Sequence, residues 1–347
     1  MKTLLVTGGA GFIGSCFIRT QIESYNIINL DALTYAGNLE NLKPVENYPH
    51  YRFVKGDICD RKLLDKLFSE NEIDAVINFA AETHVDRSIE DPETFLRTNV
   101  MGTGALLDIC KKSWQLCPDD KYCREYKPSV KFVQVSTDEV YGELGKTGLF
   151  TEKSPLAPNS PYSASKASAD LLASAYHHTF VLPVSITRCS NNYGPCQFPE
   201  KLIPLIINNS LNDKPLPLYG DGLQVRDWLH VEDHCDAIAV VLERGQPGEI
   251  YNIGGNCERA NIEIVKTILH ILDKPESLIS YVKDRPGHDR RYAIDNTKIQ
   301  AELGWQPKYL FENGIKETIK WYLENMEWME RVTSGEYALY YKSMYGK

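Results

Sequence analysis

No C-x-x-C pair occurs among the nine cysteines (Cys16, Cys59, Cys110, Cys117, Cys123, Cys189, Cys196, Cys235 and Cys257), and their number is odd. That argues against a disulfide framework and for reduced, cytosolic thiols. No apolar run approaches the roughly 18 residues a membrane span needs, so no membrane partner is expected. Met1-Lys2-Thr3 runs straight into a strand-like segment rather than a signal peptide. Internal repeats, low-complexity tracts and sustained heptads are all missing. Basic charge is short as well: 38 Lys and Arg stand against 47 Asp and Glu, a net −9. This disfavours nucleic acid or an anionic membrane as partner, although a locally basic pocket could still hold an anionic ligand. What is present is ordinary globular material, 43% hydrophobic and 24% charged over 347 residues. Such a chain predicts one large core with a smaller appended lobe, in a cytoplasmic protein that handles a small molecule.

Leu4-Leu5-Val6 is a short apolar strand that enters Gly8-Gly9-Ala10-Gly11-Phe12-Ile13-Gly14, and a helix fits from Cys16 onward. This is G-x-G-x-x-G (Gly9, Gly11, Gly14) between a strand and a helix, the context in which such a loop receives a pyrophosphate on backbone amides. A second strand ends in Asp31, 17 residues beyond Gly14. A carboxylate there can accept both adenosine-ribose hydroxyls and would repel a 2′-phosphate, so NAD is favoured over NADP. Strand-like and helix-like segments then alternate, with Gly56-Asp57 after the third strand and Ala80-Ala81 after the fourth. Parallel strands need such crossovers, and the predicted fold is an α/β Rossmann-type doubly wound parallel sheet. We place the NAD-binding domain at 1–190. The remainder, 191–347, is mainly a nucleotide-sugar-binding lobe with some segments returning to the first domain.

The fourth strand is followed by Glu82-Thr83-His84-Val85-Asp86-Arg87-Ser88. His84 and Asp86 could pair on a metal, but their spacing supplies no third ligand, and a hydrogen-bonding or substrate-positioning His is favoured. Pro92 opens a long helix, expected over 93–111. The polar stretch 114–127 reads as a surface excursion. Next comes an apolar run, 130–135, ending in Ser136-Thr137-Asp138-Glu139. Ligands of open α/β sheets bind beyond the carboxyl ends of the strands, so these two carboxyls suit proton transfer. Both can reach one ligand only if the chain bends after Ser136, because neighbouring side chains on a strand point to opposite faces. Ser160-Pro161 then starts a helix that places Tyr162 and Lys166 on one face. A free tyrosine, with a pKa of about 10, is a poor base at neutral pH, and a nearby ammonium improves it.

With the glycine loop, Thr137, Tyr162 and Lys166 in hand, the chain resembles the extended short-chain dehydrogenases/reductases. Within them it is most similar to the dTDP-glucose 4,6-dehydratases. The shared pieces are Thr34-Tyr35-Ala36-Gly37-Asn38-Leu39, Glu82 through Ser88, Thr137-Asp138-Glu139, Pro161-Tyr162-Ser163-Ala164-Ser165-Lys166, Ser190-Asn191-Asn192-Tyr193-Gly194-Pro195 and the 284–291 segment. Cys189 stands where a smaller residue such as Ala is expected.

The resemblance implies NAD as cofactor, dTDP-glucose as substrate and a homodimer built on the 93–111 and 161–180 helices. It implies cofactor contacts from Gly8, Gly11, Phe12, Ile13, Gly14, Asp31, Thr34, Asp57, Ile58, Ala80, Ala81, Thr98, Tyr162 and Lys166. Substrate contacts would be His84, Thr137, Asn191, Glu200, Lys201, Leu202, Arg226, Asn261, His288 and Tyr292, with the base near Pro217 and Tyr219. Thr137, Asp138, Glu139, Tyr162 and Lys166 would carry the reaction, with Tyr162 and Glu139 as bases and Asp138 as acid. The product would feed a deoxysugar such as rhamnose. A nucleotide-sugar 4-epimerase needs no elimination pair, so Asp138-Glu139 speaks against it. A 4,6-dehydratase of a GDP or UDP sugar stays open, and the intact Thr137, Tyr162 and Lys166 oppose a catalytically silent NAD-binding regulator.

Overall fold

The computed structural model describes residues 1–120, 122–334, 341 and 342. Short, largely buried runs make the early strands: β1 (Thr3–Thr7), β2 (Asn26–Asp31) and β4 (Ala75–Asn78), with the less buried β3 (Tyr51–Lys55). Between and after them come α1 (Phe12–Gln21), α2 (Arg61–Glu70) and α3 (Val85–Glu90). The long helix expected over 93–111 runs from Pro92 to Trp114 in three parts. These are α4 (Pro92–Phe95), a π-helical turn (Leu96–Gly102) and α5 (Thr103–Trp114). Asn99 in the π turn bonds the Glu82 backbone in both directions and donates to Ser165 Oγ at 2.8 Å.

Then come β5 (Lys131–Thr137), α6 (Pro161–Phe180) and β6 (Val184–Cys189). The start of α6 is fixed by a capping box in which Ser160 and Ser163 exchange side-chain-to-backbone bonds of 3.1 and 3.0 Å, with Pro161 in the first turn. Beyond it lie β7 (Asn191–Tyr193), α7 (Leu202–Leu211), β8 (Leu216–Tyr219), β9 (Val225–His230), α8 (Val231–Arg244) and β10 (Ile250–Ile253). The chain closes with β11 (Glu258–Ala260), α9 (Asn261–Ile271), β12 (Ile279–Val282), α10 (Thr297–Leu303), α11 (Phe311–Glu324) and α12 (Met326–Val332).

Seven strands form one parallel sheet in the order β10-β6-β5-β4-β1-β2-β3. Because strand side chains alternate, Leu4 and Val6 pack to one face with Phe17 and Val241, while Leu5 packs to the other with Leu64 and Leu106. A separate core built on Ile206, Trp228, Ile264 and Tyr322 holds the lobe, where β7, β9 and β11 make a small sheet.

One expectation needs correction. The stretch 114–127 is not wholly a surface excursion: Trp114 is fully buried, and its indole donates to the Ile73 carbonyl at 2.8 Å. That bond lets a polar-looking segment close over the end of the α/β core. In the sequence, Tyr337, Tyr340, Tyr341 and Tyr345 give the C-terminal tail aromatic surface with which to dock; the Tyr341 hydroxyl accepts from Asn209 at 2.8 Å, and the other three lie outside the described residues. Among the described residues no helix is long and apolar enough to cross a membrane.

Candidate active site

A cleft of about 330 Å³ opens at the carboxyl ends of β1, β2, β4 and β5. One end is made by the glycine loop. Gly8 has φ +67°, and a Cβ there would meet the Ala80 nitrogen at 2.7 Å; at Gly14 it would meet the Gly8 carbonyl at 2.3 Å. Only glycine lets β1, β4 and α1 converge so closely, and the amides at the start of α1 are left to face an anion. Asp31 ends β2 against this loop and accepts the amides of Ala10 (2.8 Å) and Leu33 (2.7 Å). Burial raises its pKa and those two amides hold it down. Asp57 accepts from the Cys59 amide and from Arg97. All the residues expected to touch a cofactor line this cleft: Gly8, Gly11, Phe12, Ile13, Gly14, Asp31, Thr34, Asp57, Ile58, Ala80, Ala81, Thr98, Tyr162 and Lys166. Converging strands, a glycine cradle and a ribose-height carboxylate suit a dinucleotide with a free 2′-hydroxyl.

The chain bends where β5 stops. Thr137 caps a short 3₁₀ turn, Asp138–Tyr141, and its hydroxyl accepts the Glu139 amide at 3.2 Å. The bend brings Thr137, Asp138 and Glu139 into the cleft wall beside Tyr162 and Lys166. Burial pushes the Asp138 carboxyl well above the usual range, and Glu139 and Asp227 add to this against Arg226 and the Thr137 hydroxyl. Burial also raises Glu139, less than Asp138, because Arg285, Lys201 and Arg226 oppose it. Of two adjacent carboxyls, the one facing more cations is the one that keeps its charge. Burial drives the Tyr162 phenol up, with Glu139 and Cys189 adding to it and the Thr137 hydroxyl opposing. Lys166 is lowered by burial while Asp170 and Cys189 support its charge, and its ammonium donates to the Val135 carbonyl at 2.7 Å.

The expected sugar-side residues divide into two sets. Thr137, Asn191, Glu200 and Lys201 line the cleft. His84, Leu202, Pro217, Tyr219, Arg226, Asn261, His288 and Tyr292 are not among its lining residues. His84 caps α3, sits 4.0 Å from Glu200 and is driven well below its ordinary pKa by burial and by Lys201, Arg285 and Arg87. Asp86 engages Arg285 and Tyr219, each at 3.2 Å. Among the described residues, no group of three or more His, Cys, Asp or Glu side chains could hold a metal.

Arg226 lies 4.4 Å over the Tyr292 ring and donates to the Asp289 carbonyl at 2.8 Å, and the Tyr292 hydroxyl donates to Asp289. His288 bonds Asp284 at 2.6 Å, and burial holds its pKa at about 4. Its ring meets Tyr219 edge-on at 5.9 Å. Leu202 opens α7, Pro217 is buried in β8 opposite Ser280, and Asn261 opens α9 with its amide on the Gln224 carbonyl.

Sequence reasoning passed over Tyr35, Arg87 and Arg285 as individual site residues. The Tyr35 hydroxyl donates to Glu200 at 2.9 Å, and Arg87 stacks 3.9 Å over the Tyr35 ring and lies 3.4 Å from Glu200. Arg285 reaches into the field of Glu139. All three sit inside segments already singled out as shared, but nothing in those segments says which side chain turns inward.

Residues 5–318 match the family described as GDP-mannose 4,6 dehydratase. A dTDP-glucose 4,6-dehydratase from Xanthomonas campestris pv. campestris is 56% identical, over 98% of this chain and 98% of that one. A crystal structure of the Bacillus anthracis dTDP-glucose 4,6-dehydratase in complex with NAD is 54% identical, with a TM-score of 0.86 over 96% of this chain and 100% of that one. The Streptomyces venezuelae dTDP-glucose 4,6-dehydratase with NAD and TYD bound is 49% identical, with a TM-score of 0.88 over 95% and 99%.

Proposed function

The chain belongs to the dTDP-glucose 4,6-dehydratases, and from that premise we propose how its own residues do the work. It is a hydro-lyase that converts dTDP-glucose to dTDP-4-keto-6-deoxy-glucose with NAD, a step of deoxysugar biosynthesis. The observation that carries the reading is the Asp138-Glu139 pair, Asp138 buried and Glu139 half-buried, in the same cleft wall as Thr137, Tyr162 and Lys166. When bound, NAD would supply the hydride acceptor for C4 of the sugar and the hydride donor for C6.

Tyr162 takes the proton of the 4-hydroxyl, with Lys166 offsetting the phenolate and Thr137 bonding the 4-oxygen. The resulting 4-ketone acidifies the C5 hydrogen. Glu139, whose charge Arg285, Lys201 and Arg226 favour against its burial, removes it, while Asp138, whose protonated form burial favours more strongly, delivers a proton to the departing 6-hydroxyl. Glu139 then delivers to C5 a proton exchanged with solvent, and the proton taken up by Tyr162 passes back to restore Asp138. Glu200, held by Tyr35 and Arg87, and Lys201 with Asn191 meet the sugar. Arg226, Tyr292, His288, Asn261 and His84, with Leu202, meet the diphosphate and neighbouring hydroxyls. Pro217 and Tyr219 flank the base. Residues 1–190 bind the cofactor and 191–347 mainly the nucleotide sugar, with α8 and β10 returning to the main sheet.

The protein works in the cytoplasm as a homodimer. Leu96, Met101 and Leu171, exposed by 50%, 64% and 61%, offer an apolar face on the 92–114 helix and α6. Sedimentation of wild type against Leu171→Glu tests the dimer, and a monomer in both would remove it. Incubation with dTDP-glucose in deuterated water, followed by NMR, tests the reaction. A C6 methyl group and deuterium at C5 are expected. An intact C6 with inversion at C4 would instead make the protein an epimerase.

A further inference from the structure

Behind the Tyr162 face of α6 lies a buried ionic chain that the scheme above leaves without a task. Asp170 sits four residues after Lys166, one helical turn on, and is completely buried. Arg188 of β6 donates to its Oδ2 at 2.9 Å, with both side chains almost fully enclosed. Burial raises the Asp170 pKa, while Arg188, Lys166 and lastly the Ser136 hydroxyl, which closes no full hydrogen bond, favour its charge. Arg188, directly across from Ser136 in the sheet, carries its guanidinium 4.8 Å over the Tyr141 ring. Tyr141 ends the turn that begins with Asp138, and its hydroxyl donates to Asn252 Oδ1 at 2.7 Å. A buried path therefore runs from Asp170, whose charge supports Lys166, through Arg188 and Tyr141 to the turn that bears the two carboxyls. Asp170 itself does not line the cleft.

We propose that Asp170 is a positioning residue for this reaction: its carboxylate balances the buried cations Lys166 and Arg188, and through Arg188 and Tyr141 it ties the helix of Tyr162 to the turn of Asp138 and Glu139. Two cations enclosed without an anion are unfavourable, and the lysine is the one able to shed its proton. A neutral Lys166 no longer offsets the Tyr162 phenolate, so that phenolate forms only at higher pH. Arg188, released from its partner, no longer fixes Tyr141 and with it the turn.

The inference rests on the dehydratase reading, and its test keeps the two apart. The full chain with NAD and dTDP-glucose is assayed from acid to alkaline pH as wild type, Asp170→Asn and Asp170→Glu, alongside thermal melts. If wild type makes no 4-keto-6-deoxy sugar, the reading fails. Given an active wild type, D170N should lose about a hundredfold in kcat at neutral pH, within the range of acid–base effects. Its rising limb should move up by about one pH unit. KM for the nucleotide sugar should hold, and D170E should recover most of the limb. A merely structural role lowers the melting temperature and leaves the limb in place, and that outcome overturns the proposal. Should D170N not fold, Ser136→Ala weakens the same carboxylate and must shift the limb in the same direction by less. An unmoved limb there overturns the proposal equally.

Discussion

On the cofactor side of the cleft the polypeptide presents mostly backbone: glycines that let three elements meet, amides at the start of α1, and one carboxylate held by the amides of Ala10 and Leu33. On the sugar side it presents charge: Asp138, Glu139, Glu200, Lys201, Arg226 and Arg285 within one region, several of them buried. The first construction holds a ligand by shape and dipole, and tolerates little variation in backbone. The second holds opposed protonation states side by side, which needs low dielectric and specific partners.

Tyr162 stands where the two sides meet, and its loss is the largest expected effect. Tyr162→Phe should lower turnover about ten-thousandfold with no absorbance at 340 nm, because oxidation never starts. Glu139→Gln should cost about a thousandfold in turnover yet spare oxidation, so NADH should accumulate at 340 nm. Rapid full turnover by that variant would remove Glu139 as the base. On the backbone side, Asp31→Ala should weaken NAD binding about thirtyfold, the worth of hydrogen bonds to a charged acceptor, and leave KM for the sugar unchanged. Titration calorimetry with NAD reads this directly.

The smallest effect is a pH shift. Arg285 is the first among the cations that lower Glu139. Its removal raises that pKa, so the ionised base is lost at a higher pH as the medium is acidified. Arg285→Met should therefore move the acid limb of elimination up by about one unit, a tenfold loss on the acid side with little change above it. If Asp31→Ala shifted the pH profile, or Arg285→Met changed only NAD affinity, the contrast between the two sides would collapse.

That contrast also explains what could be read in advance. The glycine loop, Asp31, the bend at Asp138 and the Tyr162 face of α6 are local, each dictated by a few consecutive residues, and each stands where spacing puts it. Tyr35 against Arg87, and Arg285 against Glu139, join segments far apart in the chain, and no periodicity announces such a meeting. Trp114 shows the same limit in the core. It follows a predicted helix in a polar stretch, and only the Ile73 carbonyl across the fold accounts for its burial. The lobe was legible as a smaller appended part with some segments returning to the first domain, whereas which strand returns depends on β10 pairing with β6 across a long separation.

The π turn at Leu96–Gly102 carries Thr98 on the cleft wall and Asn99 on its anchors to Glu82 and Ser165. Each residue of a helix advances it by about 100°, so deleting one residue from this turn would rotate everything after it by about that angle. The apolar face of α5 would swing off the sheet while Thr98 and Asn99 lost their bearings. The chain should accept length changes near 119–120, which are exposed, and refuse a single-residue deletion at 96–102, making chain length there a feature as constrained as any side chain in the cleft.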